Sequence, residues 1–413
     1  MIALVKIALR NLIKNRRRSL FTILAIALGF SAVNLFGGFA RYMYLGNREM
    51  AIFGACNGHL MVFKKGFLEK GQLTPARYLI TTEELKIIED ICRKLPQIVL
   101  VAPHLMISGL VTNGKVSTIF VAQGIAPSAV DAFMHRTVQE IKEFDGKKME
   151  DGKTYGVAVA KGLARLLDMK LGSHAVVFTN TVDGQMNALD MEVFQLFETD
   201  SDAMNDKMMR VPLKFAQRLY DTEGVDRIAI LLSKHEHTEF VRQRLQSLLS
   251  GHPTAFDVKT WEEMSQWYRK VKEMFDVIFI FLFIIVFIIV ITSVVNTMSM
   301  AVIERTREIG TLRALGLKRR GVTALFAIES IFLGVLGTTG GFLFTFLGSW
   351  GIDIMKPTWI PPGITKRVPI MIFLSHEQMI YSFLFLVLLC LMASILPARR
   401  AARQNVVDAL GHV

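Results

Sequence analysis

Apolar residues run without a charge from 277 to 303, and charged residues follow at once from Glu304. Three further stretches share that character. Residues 19–40 lie uncharged between Arg18 and Arg41, residues 321–352 carry only Glu329, and residues 378–398 carry no charge. A helix needs roughly 20 apolar residues to cross about 30 Å of hydrocarbon, and its backbone groups must be paired within the segment. The pattern predicts four transmembrane helices, at 19–40, 277–303, 321–350 and 379–398. The first reads as a span rather than a secretory leader, because its apolar core is too long and no small-x-small cleavage site follows. A mean hydropathy of +0.38 agrees.

Between the first two spans the pattern changes to short segments of mixed period. Strands are predicted at 58–63, 99–111, 116–124, 175–179, 189–197, 228–232 and 256–258. Helices are predicted at 82–95, 157–167, 211–220 and 236–250. Thr81 or Thr82 caps the first of these, with glutamates in its opening turn. Asn113-Gly114 between two strand patterns is a hairpin signal. The strand–helix–strand run at 228–258 echoes the one around 82–95. The fold class is therefore a membrane protein: four transmembrane α-helices plus a large extracytoplasmic α/β domain of two lobes at 41–275. Lobe one takes 41–135 and 226–275, and an inserted lobe takes 136–225.

Charge placement orients the chain. The net charge of +12 is carried entirely by 1–18, 304–320 and 399–413, whereas 41–276 holds thirty basic and thirty acidic side chains. Short basic loops stay cytoplasmic. Both termini and 304–320 are thus expected inside, and 41–275 and the loop 351–378 outside. The loop's prolines, Pro357, Pro361, Pro362 and Pro369, make it stiff. A nucleic-acid partner would want a basic patch on a folded domain, and the large domain is balanced.

The segment 304–320, ERTREIGTLRALGLKRR, is too ordered for a simple anchor flank. Ile309, Leu312 and Leu315 fall on one helical face, with arginines and glutamates around them. A short amphipathic helix at the membrane surface can receive a push from a soluble partner. Glu329 is the single charge inside a span, nine residues beyond Arg320, or about 13 Å of helix rise. Intramembrane charges are functional candidates; headgroup contact or pairing with a basic residue is the plainer account. Gly334, Gly337, Gly341 and Gly348 share a face of the third span. They suit close helix packing, either within the chain or between subunits.

Catalytic signatures are absent from the sequence: no G-x-x-x-x-G-K-[ST] phosphate loop, no H-E-x-x-H and no G-x-S-x-G. His235, Glu236, His237 and Glu239 form the nearest metal-like cluster, but histidines two apart face away from each other on a helix. The chain is expected to be non-catalytic and without a cofactor. Cys56 and Cys92 fall outside the membrane, where a disulfide is chemically allowed; Cys390 falls in the fourth span.

These motifs carry a resemblance. ERTREIGTLRALGLKRRGVTALFAIESIFLGVLGTTGG at 304–341 resembles the signature of the MacB/FtsX-like permeases, the membrane subunits of type VII ABC transporters. LPARRAARQNVVDAL at 396–410 resembles the family's C-terminal end, with Val406 at the usual proline. ALRNLIKNRRRSLFTILAIALG at 8–29 resembles its amphipathic N-terminal helix and first span, and VAVAKGLARLLDMKLGS at 157–173 resembles its inserted lobe.

The resemblance implies a dimer of four-span subunits, homomeric or heteromeric, with cytoplasmic ABC ATPase chains that bind the ATP and Mg. Residues 304–316 would be the coupling helix, with Glu304, Arg305, Arg307, Glu308, Ile309, Gly310, Leu312, Arg313, Leu315 and Gly316 at the ATPase groove. The layout is similar to the lipoprotein-releasing permeases. That implies mechanical transmission in the cell inner membrane, lipoprotein or other amphiphilic cargo, membrane lipid around the spans, and a periplasmic carrier or adaptor. The family's alternative is an FtsX-like signal transducer that activates an extracytoplasmic cell-wall hydrolase.

Overall fold

The computed structural model describes residues 2–71, 73–136, 144–199, 202–360 and 367–404. Pro361, Pro362 and the end of the 396–410 motif, including Val406, lie outside the described residues. In chain order the main elements open with helices α1 (Ile2–Lys14) and α2 (Arg16–Glu49) and strand β1 (Leu60–Lys64). Then come α3 (Thr82–Arg93), β2 (Ile98–Thr112), β3 (Ser117–Gly124), α4 (Pro127–Met134), β4 (Asp145–Gly146) and β5 (Gly156–Ala160). After these follow α5 (Lys161–Leu166), β6 (His174–Asn180), β7 (Met186–Phe197), β8 (Met208–Val211), α6 (Leu213–Tyr220), β9 (Arg227–Leu232), α7 (Thr238–Leu249) and β10 (Phe256–Thr260). Helices α8 (Gln266–Glu304), α9 (Thr306–Ala314), α10 (Arg319–Met355) and α11 (His376–Arg403) complete the chain.

Two compact units result. One comprises 1–44, 271–359 and 369–413, the other 45–270 and 360–368. Among the described residues four helices, α2, α8, α10 and α11, are long and apolar enough to cross a membrane. The helices α8 and α10 have 39 and 37 residues, well beyond the spans expected at 277–303 and 321–350. Helix α8 begins at Gln266 because good helix formers precede the span, whereas its end at Glu304 falls on the first charge after the uncharged run.

In the membrane unit one core joins α2, α8, α10 and α11 through Ile26, Phe30, Val290, Val294, Phe326, Leu333, Leu386 and Cys390. Helix α1 adds Leu12 and α9 adds Ile309. The break between α8 and α9 falls at Arg305, whose backbone leaves the helical region (φ −112°, ψ 16°).

The other unit holds a ten-stranded sheet in the order β10-β1-β9-β2-β3-β8-β5-β7-β4. Strand β6 pairs with both β2 and β7. Strands β2, β3, β8, β5, β7 and β6 thus form a closed circuit around a core that includes Leu105, Phe120, Val157, Val159, Val177, Met209 and Phe215. The remaining strands carry α3 and α7 over a second core, with Leu60, Ile88, Ile230, Leu245 and Val258.

Strand β2 belongs to both lobes. Residues 100–104 pair with β9, and 105–112 pair with β3. The inserted lobe therefore begins inside β2, near Leu105, rather than at 136, since a strand can change partners without a loop. A second correction concerns 157–167. Its first four residues belong to β5, parallel to β7, and α5 starts only at Lys161. Val157–Ala160 are all buried, and a fully buried strand shows no alternation to tell it from a helix. Similarly Val211 ends β8, and α6 starts after Pro212.

Local signals behave as chemistry requires. Thr81 caps α3 in a reciprocal capping box with Glu84. The β2–β3 turn has Gly114 at φ +86°, and the Asn113 side chain accepts from Lys115 N and Val116 N. Cys56, Cys92 and Cys390 are buried free thiols. Glu239 is bonded to Arg242 and Gln243, and among the described residues no group of three metal-ligating side chains converges.

Candidate functional site

Arg305 turns inward at the α8–α9 break and is 7% exposed. Its Nη1 donates to Glu329 Oε1 at 2.9 Å, and its Nη2 donates to the Asn11 carbonyl at 3.2 Å. Asn11 Nδ2 donates to the same Glu329 oxygen at 2.6 Å. The intramembrane carboxylate, 2% exposed, is thus the centre of a buried tie between α1, the start of α9 and α10. A buried charge needs this much satisfaction, since removing one partner of such a pair costs about 3–5 kcal/mol.

Helix α9 is fastened on the same side. Ile309 is 4% exposed and sits in the membrane core. Thr306 and Gly310 are buried beside it. Thr306 Oγ1 donates back to the carbonyls of Val302 and Ile303, both at 3.0 Å. Glu304 pairs with Arg18, and Glu308 pairs with Lys14 at 3.2 Å. Arg313 donates to the Gln404 carbonyl at the end of α11. Gly316 ends the helix at φ +96°. Leu317 N donates to Leu312 O and Gly316 N to Arg313 O, the paired bonds of a Schellman cap.

One expectation needs correction here. Ile309, Leu312 and Leu315 do not share an outer apolar face. Ile309 is buried within the chain, Leu312 is half-buried, and Leu315, past the helix end, is 81% exposed. The apolar stripe anchors α9 to its own subunit, and Arg307, Glu308, Thr311, Ala314 and Leu315 form the open side. Asn11, Lys14 and Arg18 were missed in the sequence. The available signal was Asn11, a polar residue between Ala8 and Leu12 on the apolar face of α1.

The glycines of α10 are filled from within the chain. A Cβ on Gly337 would stand 2.6 Å from Ile26 Cβ, and one on Gly341 would stand 2.7 Å from Phe30 Cβ. On Gly348 it would meet Leu35 at 3.0 Å. These three face α2, whereas Gly334 faces Val387 and Cys390 of α11. Between α2, α8 and α11 lies an apolar cavity of about 480 Å³, walled by Val33, Phe279, Phe283 and Phe385, with Ser375, Glu377 and Gln378 among its lining residues.

The second unit carries buried histidines. His104, at the partner change of β2, is fully buried; its Nδ1 lies 3.3 Å from Gln123 Nε2. Burial, with Arg227 and Arg210 nearby, pushes it down to about 3. His59 accepts the Leu232 amide on Nδ1 at 3.1 Å. Burial, then His235, Arg48 and Arg136, lower it to about 4.

Four long apolar helices with α9 fastened to their core, and a two-lobed α/β domain inserted after the first span, define a multi-span membrane protein. Residues 19–248 match the MacB-like periplasmic core domain family, and residues 278–406 match the FtsX-like permease C-terminal family. The chain belongs to the MacB/FtsX-like ABC transporter permeases. It is 22% identical over 418 residues to an uncharacterized ABC transporter permease of Methanocaldococcus jannaschii, covering 98% of this chain and 97% of that one. It is 23% identical to the lipoprotein-releasing system transmembrane protein LolC of Xylella fastidiosa, over 76% of this chain and 78% of that one. It is also 23% identical to the macrolide export ATP-binding/permease protein MacB of Escherichia coli, over 64% of this chain but 41% of that longer one. Among solved structures, the periplasmic region of MacB from Actinobacillus actinomycetemcomitans aligns with a TM-score of 0.38 at 12% identity, over 53% of this chain and 94% of that one.

Proposed function

We propose that this chain is the membrane subunit of an ABC transporter that works with a separate cytoplasmic ATPase and a second permease subunit. Together they extract or export a lipoprotein or other amphiphile from the inner membrane. The observation that carries the reading is the mounting of α9. Its inner side is locked to the span core through Ile309 and the Arg305–Glu329 pair, and its outer side is open. A helix held this way passes a push on Arg307, Thr311 and Leu315 to α8 and α10 without deforming. ATP and Mg belong to the partner ATPase, and this chain contributes neither a cofactor site nor a catalytic group.

Both termini and α9 lie on the cytoplasmic side in this reading, following the basic excess of 1–18 and 304–320. The large domain lies outside, where a carrier or adaptor receives the cargo. The cavity between α2, α8 and α11 suits an acyl chain, with apolar walls and polar groups in the first turn of α11.

Purification in mild detergent, with identification of copurifying chains, tests the proposal. An ABC ATPase together with a lipid-anchored protein or its carrier is the expected result. Copurification with a cell-wall hydrolase, without cargo-stimulated ATP hydrolysis, would replace it by the FtsX-like signalling role.

A further inference from the structure

Helix α1 divides into three sectors. Ala8, Asn11 and Leu12 are buried against the chain. Val5, Leu9 and Ile13 are 39%, 46% and 67% exposed and succeed one another at four-residue steps. Lys6, Arg10 and Lys14, all exposed, follow the same steps one residue on. At 3.6 residues per turn each triplet covers an arc of about 80°, and the two arcs adjoin. The outer surface of α1 is therefore an apolar strip bordered by a basic strip.

Helix α1 is separate from the first span: it ends at Lys14, and α2 starts at Arg16. Asn11 is bonded to Arg305 and Glu329, and Arg18, seven residues later, pairs with the adjacent Glu304, so both sides of the break at Asn15 are held at the α8–α9 junction. Leu20 and Phe21, 54% and 73% exposed at the start of α2, continue the apolar strip beyond the break at Asn15.

We infer that the outer surface of α1 is a binding site for anionic phospholipid in the leaflet at this end of the spans. The apolar strip takes acyl chains, and Lys6 and Arg10, with the exposed Arg17 in the first turn of α2, take phosphate headgroups. Charge complementarity selects the occupant. Lys14 already pairs with Glu308, but among the described residues Lys6, Arg10 and Arg17 pair with no carboxylate. An apolar face bordered by basic residues is the pattern that lies in a membrane interface and favours negative lipid. Asn11 and Lys14 connect this helix to Glu329 and Glu308, so lipid held here steadies the base of α9. This inference stands without the transport reading.

The test uses the full chain in bilayers, with a fluorophore on Leu9→Cys and phospholipids brominated on their acyl chains. Brominated phosphatidylglycerol diluted in phosphatidylcholine should quench more strongly than the same fraction of brominated phosphatidylcholine. Replacing Lys6, Arg10 and Arg17 together by Gln should remove that preference. Each charge contributes up to about a fivefold change in local anionic lipid at low salt. Molar salt, which shortens the screening length to about 3 Å, should remove it too. Replacing Lys86, Lys94 and Lys115 of the other unit by Gln should leave it unchanged. Equal quenching by the two lipids in the unmodified chain overturns the inference. So does quenching by neither lipid, which would mean that α1 is covered by protein.

Discussion

Arg305 and Glu329, twenty-four residues apart, meet at 2.9 Å with both side chains nearly sealed from solvent. One stands where the second span gives way to α9, the other in the third span. The pair closes the corner between α8, α9 and α10, and Asn11 brings α1 into the same corner. Glu329 therefore has a positioning role in this geometry. It is spent on holding α9 and does not face the cavity between α2, α8 and α11.

Breaking the pair should be worse than deleting it. Glu329→Gln or Arg305→Met alone leaves one buried charge and should lower unfolding stability by about 3–5 kcal/mol. The double variant removes both charges and should recover much of that loss. Thermal unfolding of the detergent-purified chain checks this. A double variant as unstable as the sum of the two would mean that the groups do not act together.

The two sides of α9 should separate folding from coupling. Ile309→Asp buries a charge in the span core and should cost several kcal/mol, lowering yield and unfolding temperature. Leu315→Asp lies on the open side, where a surface change costs within about 0.5 kcal/mol. It should leave the fold intact and still reduce ATPase copurification and cargo-stimulated ATP hydrolysis. Full retention of both by Leu315→Asp would place the docking surface elsewhere.

Much of this architecture is legible in the residues because lipid imposes a simple code. Uncharged runs marked all four spans, and the basic segments behind them marked α1 and α9. The errors came where one-dimensional pattern carries no partner information. Ile309 reads as part of a docking face because helical spacing cannot say which side of α9 its own subunit covers. Glu329 is conspicuous in the sequence, yet its bond to Asn11 spans 318 residues and has no local signature. In the α/β domain, Val157–Ala160 lacks alternation because both faces of β5 are buried. The lobe boundary is hidden inside β2 because the strand changes neighbours between His104 and Leu105 without a loop, and Pro103 is the one local mark beside it.

The glycine stripe of α10 gives a sharper comparison on one helix. Gly341→Leu places a side chain where Phe30 already stands 2.7 Å from a Cβ, and overpacking of this kind costs about 1–3 kcal/mol. Gly351, on the same helix, has nothing within 4 Å of a Cβ. Gly351→Leu should therefore be mild, as should Phe344→Leu at an exposed position. Unfolding temperature in detergent reads the difference. Equal losses at 341 and 351 would remove the α2–α10 contact as the reason for the glycines.

Acid should loosen the α/β domain, and the histidines set the direction. His59 falls to about 4 in the folded chain, against an ordinary value near 6.5. Its Nδ1 must stay unprotonated to accept the Leu232 amide. The unfolded chain takes up that proton first as pH drops. Stability is therefore complete above about pH 6.5 and declines as pH falls towards 4, by about 3 kcal/mol from this group. His104, lowered further by complete burial, extends the decline in the same sense to about pH 3. His59→Asn keeps an acceptor for Leu232 but cannot be protonated. Its unfolding temperature should fall less steeply between pH 6.5 and 4 than that of the unmodified chain. Identical slopes for the two chains would assign the acid sensitivity to carboxylates such as Glu84, whose bonds to Thr81, Thr254 and Lys64 hold it below its ordinary value despite burial.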